Sequence, residues 1–108
     1  MAISKGVINL LTPTTSAVAS SSFQLTKINK GGAKIKVTAL ATTEKAYLQE
    51  RNTAGTFIDY KINGAVPYFD KDSHVIIIDE MGEFRVNKDA SAGACGVTLL
   101  SHEDVVVY

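Results

Sequence analysis

The sequence predicts an all-β protein: a single antiparallel β-sandwich, jelly-roll or immunoglobulin-like, with about eight strands and an extended N-terminal arm. Three observations support this prediction. Turn-forming residues interrupt the chain roughly every 8 to 12 residues, which is the spacing of strands in sandwiches and barrels. The runs between the turns are rich in the β-branched and aromatic residues that strands favour. No segment keeps a helical period of apolar residues for more than two turns.

Strands are expected where apolar runs lie between turn residues. In chain order, these runs are GVINLL, SFQLTKI, AKIKVTALA, FIDYKI, HVIIID, EFRVN, GVTLL and DVVVY. Residues 44–52 (EKAYLQERN) favour a helix by propensity, but as a strand they would place Tyr47, Gln49 and Arg51 on one face. For this segment we expect the strand.

The first 22 residues differ in composition from the rest of the chain. Residues 12–22 (TPTTSAVASSS) contain seven serines or threonines and one proline, so this stretch buries little apolar surface by itself. We therefore expect an N-terminal strand or arm with a Ser/Thr-rich linker at 1–22, and a β-sandwich domain at 23–108. Apolar residues of the arm, such as Val7 and Leu10, would complete this core or that of a neighbouring chain.

The stretch FIDYKINGAVPYF, residues 57–69, contains the strongest turn signal in the chain. Asn63-Gly64 between two apolar runs predicts a hairpin with a type I′ turn, because both central positions of that turn need a positive φ. The predicted cross-strand pairs are Ile62–Ala65, Tyr60–Pro67 and Ile58–Phe69. Since Pro67 has no N–H group, its strand is expected at a sheet edge.

The two faces of this hairpin are expected to differ in role. Alternation assigns one set of residues to the core: Ile58, Tyr60, Ile62, Ala65 and Phe69. The opposite face carries Phe57, Asp59, Lys61, Val66 and Tyr68. Three of these five are large and apolar, where a solvent-facing strand is usually polar. We therefore predict that Phe57, Val66 and Tyr68 form a contact surface for another molecule.

Two further runs, at 75–78 and 105–108, are apolar on both faces. Such a strand lies either in the centre of a packed sheet or partly beneath another molecule. For 75–78 we expect the central position. The run at 105–108 fits either position, but Glu103 and Asp104 precede it and leave it without the charges that usually protect a sheet edge. We predict an interface there, formed by Val105, Val106, Val107 and Tyr108.

The charge distribution limits the classes of partner. The net charge is zero, but residues 1–36 hold five lysines and no acid, and the remainder holds six basic and eleven acidic residues. This asymmetry suits packing against a partner, or it disappears if the two halves interleave in one domain. Lysines without arginines or interleaved aromatics disfavour nucleic-acid binding. No apolar run is long enough to span a membrane.

No set of residues has the spacing of a catalytic or metal site. Cys95 is the single cysteine and fits a small buried hydrophobe, and His74 and His102 lack a metal-ligand spacing. Residues 70–72 (DKD) lack the glycine and the later ligands of a calcium loop. No serine lies in a Gly-x-Ser-x-Gly elbow. We expect no enzymatic activity, no cofactor and no bound metal.

One resemblance extends across residues 20–100, in LQER before a glycine-containing turn, then GTFIDY, GEFRVNK and GVTLL. This pattern of strands resembles the small β-sandwich virion accessory proteins of tailed bacteriophages, the capsid decoration or cement proteins. The resemblance implies a structural protein that binds and stabilises an assembled capsid, and it carries over no functional residue. It also implies synthesis in the host cytoplasm, a final place on the capsid surface, the major capsid protein as partner, and a homo-oligomer, either a dimer or a trimer.

Other β-sandwich proteins share parts of this pattern. A carbohydrate- or host-surface-binding module would carry Phe57, Tyr68 and Tyr47 as an exposed aromatic row on one flat surface. A tail or head-completion component is a further alternative.

Overall fold

The structure, a computed structural model, describes residues 2–26 and 32–108, and these residues form ten β-strands. The strands are β1 (Ala2–Thr14), β2 (Val18–Ala19), β3 (Phe23–Leu25), β4 (Ala33–Val37), β5 (Ala46–Arg51), β6 (Phe57–Asp59), β7 (Tyr68–Phe69), β8 (Val75–Ile78), β9 (Gly82–Lys88) and β10 (Cys95–Val107). No described residue lies in a helix, so the all-β prediction is confirmed, and residues 44–52 contain a strand as expected. The end of the predicted strand SFQLTKI, residues 27–28, lies outside the described residues.

All ten strands belong to one antiparallel sheet that is built around a long ribbon of β1 and β10. β10 pairs with β1 along most of its length, and its other edge is shared between two partners. Residues 97–100 pair with β4, and residues 105–107 pair with β3. The ribbon therefore joins two wings. The first, the β8 wing, contains β4 and β8, and the second, the β5 wing, contains β3, β9 and β5 with the short strands at its margin.

The sheet curls into a half-barrel because the ribbon bends. The pairing of β1 with β10 shifts register between Ser4 and Gly6 and twice more between Asn9 and Thr14. Such bulges bend a strand and increase its twist. Gly6 has a φ of 87°, a conformation that glycine adopts without steric cost. The architecture is thus one curled sheet of ten strands, and it differs from the eight-stranded sandwich that the turn spacing suggested.

The inner face of the curled sheet holds the core. In β4 the alternation is complete, with Ala33, Ile35 and Val37 buried and the intervening lysines exposed. Phe23 and Phe84 are opposite one another on β3 and β9, both fully buried, with ring centroids 6.0 Å apart. Burial of each such side chain stabilises the folded state by roughly 1.5–3 kcal/mol.

The N-terminal segment is part of this sheet. Ile8 and Leu10 of β1 are buried in the core, whereas Ile3 and Val7 are exposed. β2, which lies within the Ser/Thr-rich stretch, pairs with β9. The N–H of Ser20 then donates to the carbonyl of Val86 at 2.7 Å. The described part of the predicted arm and linker is therefore held against the same core by strand pairing.

The Asn63-Gly64 turn forms as predicted, with φ values of 51° and 81°. Ile62 and Ala65 exchange both backbone hydrogen bonds, at 2.8 and 3.0 Å. The rest of the predicted hairpin is wrong. β6 and β7 do not pair with each other, because both pair with β5, in the same direction along its free edge.

The segment 57–69 is therefore one edge strand interrupted by a loop. Ile58 is opposite Glu50, Phe69 is opposite Ala46, and the N–H of Tyr60 donates to the carbonyl of Leu48 at 2.9 Å. Residues 61–67 project as the loop. Pairing with the long edge of β5 satisfies more backbone groups than a hairpin whose second arm contains a proline.

Because the hairpin is replaced by an interrupted edge strand, only part of its predicted core face is buried. Tyr60 and Phe69 are buried as predicted, since both segments pack over the core. Ile58 and Ile62 are exposed, at 47% and 42%. The loop carries Ile62 away from the core, and Ile58 lies on the outermost strand of this wing, where no other strand of the described residues covers it.

The two runs that are apolar on both faces, 75–78 and 105–108, do not lie where they were expected. β8 lies at the edge of the sheet, with β4 as its strand partner among the described residues, so the central position expected for 75–78 is wrong. β10 lies inside the sheet, and residues 105–107 pair with β1 on one side and β3 on the other. The C-terminal strand is therefore not the bare edge that its sequence suggested.

Candidate interaction surfaces

The first predicted contact surface lies on the outer side of the β5 wing. Tyr47 and Tyr68 are opposite one another on β5 and β7, with ring centroids 6.4 Å apart and ring planes inclined by 59°. The Nζ atom of Lys45 lies 4.4 Å from the centroid of the Tyr68 ring. We call the surface formed by Tyr47, Phe57 and Tyr68 the aromatic face.

Phe57 occupies the other end of the aromatic face, where it is half-buried on β6. The guanidinium carbon of Arg85 lies 4.3 Å from the centroid of its ring. Arg85 Nε donates to Gln49 Oε1 at 2.9 Å, and Gln49 Nε2 donates to Asp59 Oδ1 at 3.3 Å. This chain of contacts fixes the guanidinium over the ring, as cation–π attraction favours.

The structure thus brings Phe57 and Tyr68 onto one face, although by pairing with β5 and not by the predicted hairpin. Val66 lies in the 61–67 loop and is partly buried. Tyr68 is 42% exposed. The role of these three residues as a contact surface stays a prediction.

The second predicted surface, Val105 to Tyr108, lies in and just after the central strand. Val105 is fully buried, Val106 and Val107 are partly buried, and Tyr108 is exposed. The N–H of Tyr108 donates to the carbonyl of Ser22, and its hydroxyl lies 2.6 Å from Gln24 Oε1. The reason given for an interface here, an unpaired edge, is wrong, because neighbouring strands satisfy both sides of the segment. Contact of this segment with another molecule stays a prediction.

Sequence reasoning missed a third surface, on the outer side of the β8 wing. Val7, Leu100, Lys34 and Ile77 form one row across four strands, and Asn9, Thr98, Lys36 and Val75 form the next. Val7 is 79% exposed and Ile77 is 54% exposed. A groove of about 290 Å³ runs between these rows. The signal was present in 75–78, whose alternate residues are all apolar, but the expected central position assigned them to the interior.

A second groove, of about 360 Å³, lies beside the start of β8 and is lined by Lys36, Leu40, Lys71 and His74 among others. Asp70 also lines it, but its carboxylate accepts hydrogen bonds from the N–H groups of Asp72 and Ser73, at 2.9 and 2.7 Å. That carboxylate is therefore engaged in a local turn. Across residues 2–26 and 32–108, no group of three His, Cys, Asp or Glu side chains is placed to hold a metal ion.

Acidic side chains gather around Tyr60. Burial raises the pKa of Tyr60 to about 12, helped by the hydrogen bond of its phenol to Glu80 and by the negative charges of Glu80, Glu50 and Asp79. Met81, which follows Glu80 in the chain, is 60% exposed. This margin of the sheet is therefore acidic, whereas the two β4 lysines of the β8 wing are basic.

Comparison with known proteins gives a likeness in fold and none in sequence. No family model matches the chain, and no curated protein matches it in sequence. The fold is similar to that of a solved structure, the SPBc2 prophage-derived protein YomS, with a TM-score of 0.59 and 12% sequence identity. The match covers 100% of this chain and 96% of the other. At this identity the likeness is one of fold. Within the described ranges, no helix is long and apolar enough to cross a membrane.

Proposed function

We propose that this chain is a structural protein of a phage virion, which binds an assembled capsid and stabilises it as a decoration protein. The observation that carries the proposal is the full-length likeness in fold to a prophage-derived protein. In this proposal the chain resides on the capsid surface after synthesis in the host cytoplasm. Its partners are the major capsid protein and further copies of itself.

The surfaces of the sheet support a binding role. Two outer faces carry large apolar or aromatic side chains, at the aromatic face and at the β8 wing. Contiguous apolar surface of this kind usually marks a site of protein contact. The residues that line the two grooves include no nucleophile paired with a base among the described residues, so we propose that the protein acts by binding and not by catalysis.

The aromatic face is the proposed contact with the coat. It combines exposed aromatic surface with cations held over the Tyr68 and Phe57 rings. Tyrosine and arginine are enriched where protein interfaces derive most of their affinity.

Cosedimentation with purified capsids of the encoding phage tests the proposal. We expect the wild-type chain to pellet with capsids, and the double variant Val66→Ser and Tyr68→Ser to bind at least about tenfold more weakly, which corresponds to about 1.4 kcal/mol. Its thermal melt should change little, because Tyr68 is 42% exposed. Val18→Ser is the matched control, since Val18 is an exposed residue on another strand.

Two outcomes would contradict parts of this proposal. Wild-type chain that stays in the supernatant with capsids but pellets with purified tails would assign the protein to the tail instead. A large loss of melting temperature in the double variant, with capsid binding intact, would show that Val66 and Tyr68 serve the core.

A carbohydrate-binding module is the second candidate, since the aromatic face carries Tyr47, Phe57 and Tyr68 on one side of the sheet. The geometry favours it less. Sugar stacking needs open and roughly parallel rings, but the tyrosine rings are inclined by 59° and cations lie over the rings of Tyr68 and Phe57. Saturable glycan binding that Tyr68→Ser abolishes would favour this candidate over the capsid role.

A further inference from the structure

The free edge of β8 carries unpaired backbone groups. The N–H of Val37 donates to the carbonyl of His74 at 3.0 Å, so the backbone groups of His74 point toward β4. The backbone N–H and C=O groups of successive strand residues point to opposite edges. Those of Ile76 and Ile78 therefore also point toward β4, and those of Val75 and Ile77 point outward. Among the described residues, no strand pairs with that side of β8 and no loop hydrogen bond reaches it.

This short edge lacks the charged residues, prolines and bulges that normally prevent strand addition. β8 has the sequence Val-Ile-Ile-Ile, with no lysine, proline, glycine or bulge. Val75 and Ile77 are 41% and 54% exposed. An apolar edge strand without charges readily accepts another strand.

We propose that a second copy of this chain occupies this edge, through antiparallel pairing of β8 with the partner's β8 around a two-fold axis. A strand that pairs antiparallel with its own copy is self-complementary, as a two-fold interface requires. The two curled sheets would join into one continuous sheet. The dimer specifies how further copies of this chain, proposed above as partners, would associate, and it does not depend on the capsid role because it concerns the protein by itself.

The backbone limits the possible registers, and charge favours one of them. Only the odd-numbered residues present hydrogen-bonding groups to the edge, so odd-numbered residues must face odd-numbered residues. One such register places Ile77 opposite the partner's Ile77 and Val75 opposite the partner's Asp79, the residue that follows β8. Lys36 is the neighbour of Val75 on β4, so the partner's Asp79 would lie about 10 Å from it between Cα atoms, within reach of a lysine side chain.

The neighbouring register lacks this charge match. If Ile76 faced the partner's Ile76, Val75 would lie opposite the partner's Ile77, and no acidic residue of the partner would lie beside Lys36. The register with Ile77 opposite Ile77 therefore brings a base of one copy toward an acid of the other.

Light scattering on the wild-type chain and on Ile77→Lys tests the dimer. We expect a wild-type mass of twice 11.5 kDa at sub-millimolar concentration. The lysine variant should dissociate at least about 100-fold more readily, because both symmetry-related copies lose an apolar contact and gain a charge. Ile58→Lys is the matched control, an isoleucine of similar exposure on the opposite edge strand, and it should stay dimeric. A wild-type mass of one chain up to about 1 mM, or a dimer unaffected by Ile77→Lys, would overturn the proposal.

Disulfide formation tests the register. Under mild oxidation, Ile77→Cys should form a covalent dimer, because the two cysteines would face each other within disulfide distance. Ile76→Cys should not, since in this register it lies opposite the partner's Ile78. Cys95 is buried, and the wild-type chain serves as the control for it. Cross-linking of Ile76→Cys in preference to Ile77→Cys, or of neither in a dimeric sample, would overturn the assignment.

Discussion

Single residues determine the local geometry that the sequence predicted best. Asn63 and Gly64 adopt the positive φ values of a type I′ turn, and a Cβ atom added at Gly64 would have no neighbour within 4 Å. Glycine is therefore needed at position 64 because of its backbone conformation and not because of close packing. The turn could be predicted from the sequence because it depends on two adjacent residues and on no distant partner.

Gly64→Val should destabilise the protein by about 1–3 kcal/mol, because a β-branched residue is strained at a φ of 81°. Chemical unfolding of the variant measures the loss. Gly93→Val is the control, since Gly93 has no positive φ and a Cβ there meets only the carbonyl oxygen of Ala39 at 4.0 Å. Equal stability of both variants would show that the turn has another conformation in solution.

Tyr60 makes stability depend on alkaline pH. Its pKa is raised from 10.0 to about 12 by burial and by the carboxylates around it, so the folded state holds the phenol proton more tightly than the unfolded state does. The contribution is fully present below about pH 10 and is lost as the pH rises through about 12. We expect the melting temperature of the wild-type chain to fall more steeply over this range than that of Tyr60→Phe. Tyr68→Phe is the control, because it removes an exposed phenol, and it should keep the wild-type slope.

Lys88 illustrates what single residues do not reveal in a sequence. Its side chain is buried, and its amine donates to the carbonyls of Ser16 and Asp89 at 2.7 and 2.9 Å and to the hydroxyl of Ser91 at 3.2 Å. Asp89 and Ser91 follow Lys88 directly in the chain, whereas Ser16 lies 72 positions away in sequence. A lysine at the end of a strand looks like a solvent-facing residue until the fold assembles the oxygens around it.

At the level of elements, strands were predictable and their partners were not. Alternation in AKIKV and EFRVN fixed which side chains face inward, and β4 and β9 follow it. The position of a strand in the sheet depends on long-range pairing. β8 and the end of β10 have similar apolar compositions, yet one lies at an edge and the other inside the sheet. Local sequence contains no information that separates the two cases.

The central position of β10 changes the expected effect of truncation. Deleting residues 105–108 removes fully buried Val105 and the strand segment that pairs with both β1 and β3. We expect the truncated chain to lose its cooperative thermal transition, because core burial and two sets of backbone hydrogen bonds disappear together. Circular dichroism melts measure this. Removal of Tyr108 alone should have a small effect, since it follows the strand and is half-exposed. A truncated chain that still melts cooperatively but no longer associates would restore the interface prediction for this segment.

At the scale of the whole molecule, the strand order places basic strands from the start of the chain between strands of the acidic remainder. β3 and β4, from the basic first third, each lie between strands of the acidic remainder. The two halves interleave, one of the two outcomes expected from the composition. Among the described residues, two local clusters of like charge remain: the lysines of β4 near the β8 edge, and the carboxylates around Tyr60.

The placement of the two proposed contacts is compatible with both forming at once. β8 and β6 lie at opposite ends of the strand order. A dimer joined through β8 would leave the aromatic face of each copy open. Such a dimer would bind two coat sites together, and the second contact would form without a further loss of translational freedom.

The interrupted edge strand gives the fold freedom to change during evolution. Residues 59, 60 and 68 follow β5 in nearly unbroken succession, opposite Gln49, Leu48 and Tyr47, so the 61–67 loop adds seven residues without shifting the register on either side. Longer or shorter sequences at Asn63-Gly64 would leave every strand pair in place. Related chains could therefore diverge at this point in length and chemistry while the sheet stays constant, and a foreign peptide inserted here would be presented outward by an otherwise unaltered molecule.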